Sequence, residues 1–438
     1  MASTYIYRDI GTPTNAYKGT VSHWIKKSII GASETEYGTF AAWLNGGSTT
    51  RTHLNFYNNT IYFYDQQNSI EIQTNRVFRD TNAWYHIVIA WDTTQSTSSN
   101  RVKIYVNGIQ ETSFNTATYP AQNAVLECNT SGRRFGVGTL ANGSGAAYGF
   151  WDGYISHFAF VDGQQLTPTS FGETDSTSGI WKFKSPSGIT WGNNGFHLKF
   201  ENSGALGTDS SGNSNTYTVS GNLKQSLDTP SNVYNTLNSL STDSGVTLSN
   251  GNTESDFDGS VGNAKGTLGF SSGKWYWEVK IAATTGSYPM IGIGSLDEEQ
   301  MQKPTGGSYP GGFTNSYGGY GNGTIYANGS NTGSQSFTWG ANDIIGIAVD
   351  LDSATKTIKW YKNGTQIATY NITTVAPFTS MDYNGAEAAV NLQYNFGNGY
   401  FGTTAISSAG SNGNGSLFEY DVPSGHYALN TKNLNTYG

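Results

Sequence analysis

The chain reads as an all-β protein of two antiparallel β-sandwich domains joined by an ordered connector. Three observations predict this. An Asn-Gly dipeptide closes an alternating apolar strand twice, in WYHIVIAWDTTQSTSSNRVKIYVNGI (84–109) and in DIIGIAVDLDSATKTIKWYKNGTQI (343–367). Asn-Gly is the strongest short hairpin signal, because a type I′ turn needs two residues at positive φ and its twist matches the flanking strands. Among 438 residues only 12% are charged, whereas 14% are aromatic and Gly numbers 56. That mixture suits short strands and tight turns and does not suit helices built from Ala, Glu, Lys and Leu.

The first domain is expected over 1–175. Val102, Ile104 and Val106 alternate with Lys103 and Tyr105, the two-fold period of a half-buried strand. Tyr85, Ile87, Ile89 and Trp91 alternate instead with Trp84, His86, Val88 and Ala90, so this strand is apolar on both faces and central in its sheet. These residues, with Trp151-Asp152-Gly153, resemble the concanavalin A-like jelly rolls of the laminin-G and pentraxin type. Residues 176–245 are rich in Ser, Gly, Asn and Thr and read as the ordered connector, with short apolar runs able to add strands to a neighbouring sheet.

The second domain is expected over 246–400. It runs through Gly273-Lys-Trp-Tyr-Trp-Glu-Val-Lys, Met290-Ile-Gly-Ile-Gly, the second hairpin, Ala376-Pro-Phe and Asn395-Phe-Gly. This order of landmarks resembles the SPRY domain, a bent β-sandwich whose loops commonly recognise partner segments. A tail, 401–438, follows. Taken together, a jelly roll, a connector, a SPRY-like domain and this tail resemble structural proteins of tailed bacteriophages. The resemblance implies a non-enzymatic virion protein, as capsid decoration, fibre or tail-associated component. Its expected location is the particle, its expected partners are other virion proteins and a host surface glycan, and homo-oligomerisation is a candidate.

Composition narrows the alternatives. A formal charge of −8 with scattered Lys and Arg argues against nucleic-acid binding, which needs clustered cations. No apolar run reaches the length of a membrane span. The opening Met-Ala-Ser-Thr-Tyr lacks the basic and apolar segments of a secretion signal, and the single Cys128 forms no internal disulfide, so synthesis in a reducing cytoplasm is expected. Cys128 reads as a packing residue.

Catalytic patterns are incomplete. Glycoside hydrolysis on a jelly roll needs paired carboxylates on one strand face, and the Glu-x-Asp fragments Glu173-Thr-Asp175 and Glu254-Ser-Asp256 lack the third acid. A carbohydrate-binding adhesin or glycan-degrading enzyme is therefore the alternative function, and a cellular scaffold using the SPRY-like domain ranks last. The six histidines are dispersed and read as packed rings. No cofactor is required. Calcium is a candidate at Asp209, Asn213 and Asn215, whose oxygens alternate along a loop, against the simpler reading of Asx turns.

The strongest binding feature is GGSYPGGFTNSYGGYGNGTIYANG (306–329), an insertion between SPRY-like landmarks. Tyr309, Phe313, Tyr317, Tyr320 and Tyr326 stand there among Gly, Ser and Asn, the palette of antibody loops. Two readings stand side by side: an exposed ligand-binding loop, with tyrosines stacking on sugar faces, and a long glycine-rich loop whose tyrosines pack onto their own sheet.

Overall fold

The computed structural model describes all residues except 1–3, 31–36, 48–49, 260, 286–288, 298–307 and 386–388. The chain divides into two compact units, Met1–Gln225 and Ser226–Gly438. Both are built of antiparallel β-sheet, and the described residues contain one short α-helix, Thr431–Tyr437. The all-β expectation is therefore met.

In the first unit an eight-stranded sheet runs in the order Phe114–Thr118, Ile70–Val77, Thr60–Asp65, Arg51–Tyr57, Tyr37–Trp43, Arg134–Val137, Tyr5–Asp9 and Thr218–Ser220. Its six-stranded partner runs Phe196–Leu198, Gly153–Asp162, Lys18–Lys27, Trp84–Asp92, Val102–Val106 and Ile109–Gln110. Between them lies one core, in which Ile87, Ile89, Trp91, Val102, Ile104 and Val106 meet Phe40, Phe56, Phe63 and Phe135. The strand Trp84–Asp92 sits between two neighbours, as its two apolar faces require. Its second face is covered too, because Val88 and Ala90 pack with Phe171 and Trp191 in a separate apolar cluster. Phe171 and Trp191 lie on the chain that leaves the strand Gly153–Asp162.

The stretch read as a connector carries strands of its own. Trp181–Phe183 pairs with Gly172–Thr174, and Phe196–Leu198 and Thr218–Ser220 form edge strands of the first unit's two sheets. From Ser226 the chain belongs to the second unit, where Tyr234 and Leu237 are buried.

The second unit pairs an eight-stranded and a six-stranded sheet. The larger places Lys274–Thr284 between Val390–Asn395 and Ile344–Asp350, followed by Thr357–Lys362 and Thr365–Asn371, with Tyr427–Ala428 added in parallel. The smaller runs Gly262–Lys265, Phe378–Asn384, Met290–Ser295, Ser316–Tyr320, Thr324–Ala327 and Ser330–Ser334. Tryptophans fill the space between. Trp360 Nε1 donates to the Ile291 carbonyl at 2.9 Å and Trp339 Nε1 to that of Pro289 at 3.1 Å, so the indoles are buried with their polar atoms satisfied. Gly319 makes room for both, since a Cβ there would stand 2.7 Å from Trp339 and 3.1 Å from Trp360.

The tail is part of this unit. Phe418, Val422 and Ala428 pack against Tyr234, Tyr276 and Ala348. Beneath them the fully buried Glu278 accepts the backbone N–H of Tyr420 on one carboxylate oxygen and that of Glu419 on the other, each at 2.9 Å. Asn395 Nδ2 donates at 3.1 Å and the Tyr276 hydroxyl at 3.2 Å. Burial raises the Glu278 pKa to about 7, and these hydrogen bonds oppose the rise.

Both Asn-Gly turns have the expected geometry. Asn107 and Gly108 take φ of 48° and 80°, and Asn363 and Gly364 take 48° and 81°. Asn107 Oδ1 accepts the His86 N–H at 2.8 Å, and Asn363 Oδ1 accepts the Ile344 N–H at 2.9 Å. Each glycine lies under a ring from later in the chain. A Cβ on Gly108 would meet Trp181 at 2.6 Å, and one on Gly364 would meet Tyr420 at 2.8 Å.

Candidate functional site

The tyrosine-rich insertion is mostly sheet. Its first residues, 306 and 307, lie outside the described residues, and Ser308–Asn315 passes over the outer face of the six-stranded sheet. Close approach explains two glycines there, because a Cβ on Gly318 would collide with the Pro310 carbonyl and one on Gly311, at φ 88°, with that of Tyr326. Ser316 Oγ fastens the crossing by accepting the N–H of Gly311 at 2.9 Å and of Phe313 at 3.2 Å, while donating to the Phe313 carbonyl at 2.6 Å.

This changes the expected roles. Tyr317 is a core residue, fully buried against Phe378 and beside Tyr370, because alternation along Ser316–Tyr320 turns it inward. Its hydroxyl is engaged as well, accepting from Thr373 N–H and Asn328 Nδ2, each at 3.3 Å. Phe313 is buried against Met381. Of the five aromatic candidates, Tyr309, Tyr320 and Tyr326 remain half-buried.

Those three gather around a residue that the sequence did not single out. Tyr309 packs edge-on to Tyr326, with centroids 5.5 Å apart and planes at 80°, and lies 5.5 Å from Tyr383 at 45°. Tyr383 reaches this face because Phe378–Asn384 pairs with Met290–Ser295, placing Met290 opposite both Tyr383 and Tyr320. Burial, then the Tyr309 phenol, then Asp243 and Tyr320 raise the Tyr383 pKa, so this phenol stays a neutral donor at ordinary pH. Asp243 closes one side, accepting Asn263 N–H at 2.9 Å and Asn263 Nδ2 at 3.0 Å. Lys265 is buried on the same strand as Asn263, and burial lowers its pKa to about 8 against the opposing pull of Asp243. The signal for Tyr383 was the alternation in Phe-Thr-Ser-Met-Asp-Tyr-Asn, which needs the sheet register to be read.

The calcium candidates do share one loop, but their donors are engaged. Asp209 accepts the N–H groups of His197, Ser211 and Asn215 and the Ser211 hydroxyl, all within 2.9 Å. Asn213 and Asn215 point their amide nitrogens at the carbonyls of Gly192, Asn193 and Gly195. This set of bonds is a loop lock of the Asx-turn kind, in which N–H groups occupy the Asp209 carboxylate. Among the described residues no three His, Cys, Asp or Glu side chains are grouped to hold a metal.

Other reactive types are packed away. Cys128 is buried, and burial raises its thiol pKa well above the usual value. His86 is stacked 4.8 Å from Trp24 and binds Trp181 Nε1 at 2.9 Å, while His157 lies 3.6 Å from the Phe183 ring. Burial lowers the pKa of both to about 3, so they are neutral rings. A cavity of about 320 Å³ beside the C-terminal helix is lined by Asn232, Asn414, Asn430, Asn433 and Lys432. Its amides are largely engaged in holding that helix, as Asn232 Oδ1 accepts Lys432 N–H and Asn430 Oδ1 accepts Asn433 N–H.

With the geometry known, residues 274–395 match the SPRY domain family. That match lies within the second unit. Solved structures with similar chains include the TRIM65 PSpry domain, at 15% identity over 37% of this chain and 88% of that one, TM-score 0.30. The SPRY domain of human HERC1 shows 17% identity over 36% of this chain and 96% of that one, TM-score 0.30. Stonustoxin shows 18% identity over 37% of this chain and 27% of that one, TM-score 0.30. A comparison with curated proteins finds no match. SPRY domains are binding modules, so a non-enzymatic binding role fits the second unit.

Proposed function

We propose that this chain is a non-enzymatic binding protein whose SPRY sandwich holds a protein partner on the face formed by Tyr309, Tyr320, Tyr326 and Tyr383. The observation that carries it is the half-exposed Tyr309 ring, braced edge-on by Tyr326 and tilted against Tyr383. Tyrosines fixed in this way lose little freedom on binding and offer both ring area and a hydroxyl, which is why they are enriched at interface hot spots. The match to a family of binding modules supports the reading.

On the resemblance that most of the chain bears in sequence to tailed-bacteriophage structural proteins, the proposed partner is another virion protein and the proposed location is the particle. Mass spectrometry of washed particles tests this, with a fixed copy number expected. Absence of the chain sinks the virion reading. Particles carrying Tyr309→Ala with Tyr326→Ala should retain at least ten-fold fewer copies of an otherwise folded chain, and unchanged copy number would remove the tyrosine face from the interface. A second reading, a host glycan at this face, is favoured by the neighbouring Asn322, Asn328 and Asn331, two of them on turns beside the tyrosines. Loss of glycan-array binding in the same double variant, with assembly intact, would select it. Release of reducing sugar from host polysaccharide would be needed to make the chain an enzyme.

A further inference from the structure

The outer face of the first unit's eight-stranded sheet carries a second, different group of tyrosines. Along Thr60–Asp65 the residues Ile61 and Phe63 enter the core, so Tyr62 and Tyr64 turn outward. Their ring centroids are 5.9 Å apart and their planes differ by 14°. Tyr57, at the end of the neighbouring strand and 39% exposed, extends the row, 6.0 Å from Tyr62. On one side Arg51 holds its guanidinium 5.9 Å from the Tyr64 centroid and donates to Gln66 at 3.0 Å. On the other, the register sets Glu71 opposite Tyr64 and Gln73 opposite Tyr62.

Two polar side chains lie beneath this face. His53 and Asn55, paired with Tyr64 and Tyr62, are only 7% and 3% exposed. His53 Nδ1 and Asn55 Oδ1 are buried and have no hydrogen-bond partner among the described residues.

We propose that this tyrosine row is a carbohydrate-binding site for a neutral β-linked polysaccharide. The flat C–H faces of gluco-configured pyranose rings pack on the parallel Tyr62 and Tyr64 rings, and Tyr57 lengthens the track. Glu71, Gln73 and Arg51 meet the hydroxyls. Charge selects the class of polymer: one guanidinium and one carboxylate flank the row and balance, on a chain of net charge −8, which favours an uncharged polymer over a polyanion. The site is independent of the SPRY face, since it uses other residues in the other unit.

Affinity electrophoresis of the full chain tests the assignment, using gels that contain laminarin, hydroxyethyl cellulose or dextran. Retardation by at least one of the two β-glucans and none by the α-linked dextran is expected. Tyr62→Ala with Tyr64→Ala should weaken it at least ten-fold, and the more exposed Tyr57→Ala and Gln73→Ala provide milder variants should the double variant fail to fold. Tyr309→Ala should leave retardation unchanged, so failure of the SPRY-face reading is told apart from failure of this one. No retardation by either β-glucan, equal retardation by dextran, or full retardation of the folded Tyr62 and Tyr64 variants would overturn the proposal.

Discussion

The first sandwich encloses a set of histidines as neutral imidazoles, whereas the second encloses two carboxylates whose pKa burial raises to about 7. His23, His53 and His86 are enclosed in the first unit with pKa values lowered to about 3 by burial, with a further push from Arg51 on His53 and from His23 and His157 on His86. Glu278 and Asp382 are enclosed in the second, and burial raises each to about 7. Their tyrosines differ as well. Tyr62 and Tyr64 come from one strand two residues apart and lie parallel, while Tyr309, Tyr326 and Tyr383 come from three segments and meet at steep angles. One fold class, with the same hairpin in each half, is thus fitted with different sets of perturbed titrating groups and two kinds of aromatic surface. A strand's own period makes a ladder, and a cluster of edges needs sheet register and a crossing loop.

The largest effect expected of this contrast is in pH dependence. For the histidines the unfolded chain binds more protons between about pH 6.5 and 3, so the stability they contribute is present above pH 6.5 and lost as pH falls. Each fully buried ring contributes up to about 1.4 kcal/mol per pH unit, and three act together. Asp152, raised by burial to about 6, and Asp65, also raised by burial, oppose them over part of that range but are outnumbered. For Glu278 and Asp382 the folded chain holds more protons between the usual carboxylate range and about pH 7, so their contribution is present at low pH and lost as pH rises through 7. His426 is the opposing group there, lowered by burial. Hydrogen exchange from pH 5 to 8 should show the amides of Trp84–Asp92 gaining protection with pH while those of Lys274–Thr284 lose it. Parallel trends in the two strands would break the comparison.

Next in size is the division of labour within the tyrosine insertion. Tyr317→Ala should cost about 3–5 kcal/mol in denaturant unfolding, the range for emptying a large aromatic site in a core. Tyr309→Ala, at the half-exposed edge, should cost less than about 1 kcal/mol while abolishing partner binding. Equal stability losses would place Tyr309 in the core and remove it from the surface. Glu278→Ala leaves the N–H groups of Glu419 and Tyr420 without their acceptor, at about 1–3 kcal/mol, and faster exchange at those two amides is the readout. Gly364→Ala should cost about 1 kcal/mol for a residue forced to positive φ, plus displacement of Tyr420, measured as a shift in melting temperature.

Much of the architecture could be read from local sequence, and the reason is range. Asn107-Gly108 and Asn363-Gly364 specify their turns within four residues, and the two-sided apolarity of Trp84–Asp92 marks a central strand. The candidate site was legible only in composition. Glycine at 318, 319, 321 and 323 hides the two-residue period that would have shown Tyr317 turning inward. Tyr383 joins Tyr309 through pairing across the sheet, some 74 residues on in the chain. Glu278, on the face opposite Trp275 and Trp277, reads as a solvated residue, and nothing near it in sequence announces the tail that covers it. The three-residue strands at 181–183, 196–198 and 218–220 are too short for periodicity to distinguish from loop.

The rings lying on the two turn glycines set an order of events. An Asn-Gly hairpin closes within microseconds from neighbouring residues, whereas Trp181 and Tyr420 must travel in from far along the chain. The hairpin is therefore the floor on which a late lid settles, and each glycine holds the place open for it. Trp181 fluorescence in stopped-flow refolding should then report a phase slower than the formation of β-structure seen by circular dichroism, and a ring that docked as fast as its hairpin would reverse that sequence.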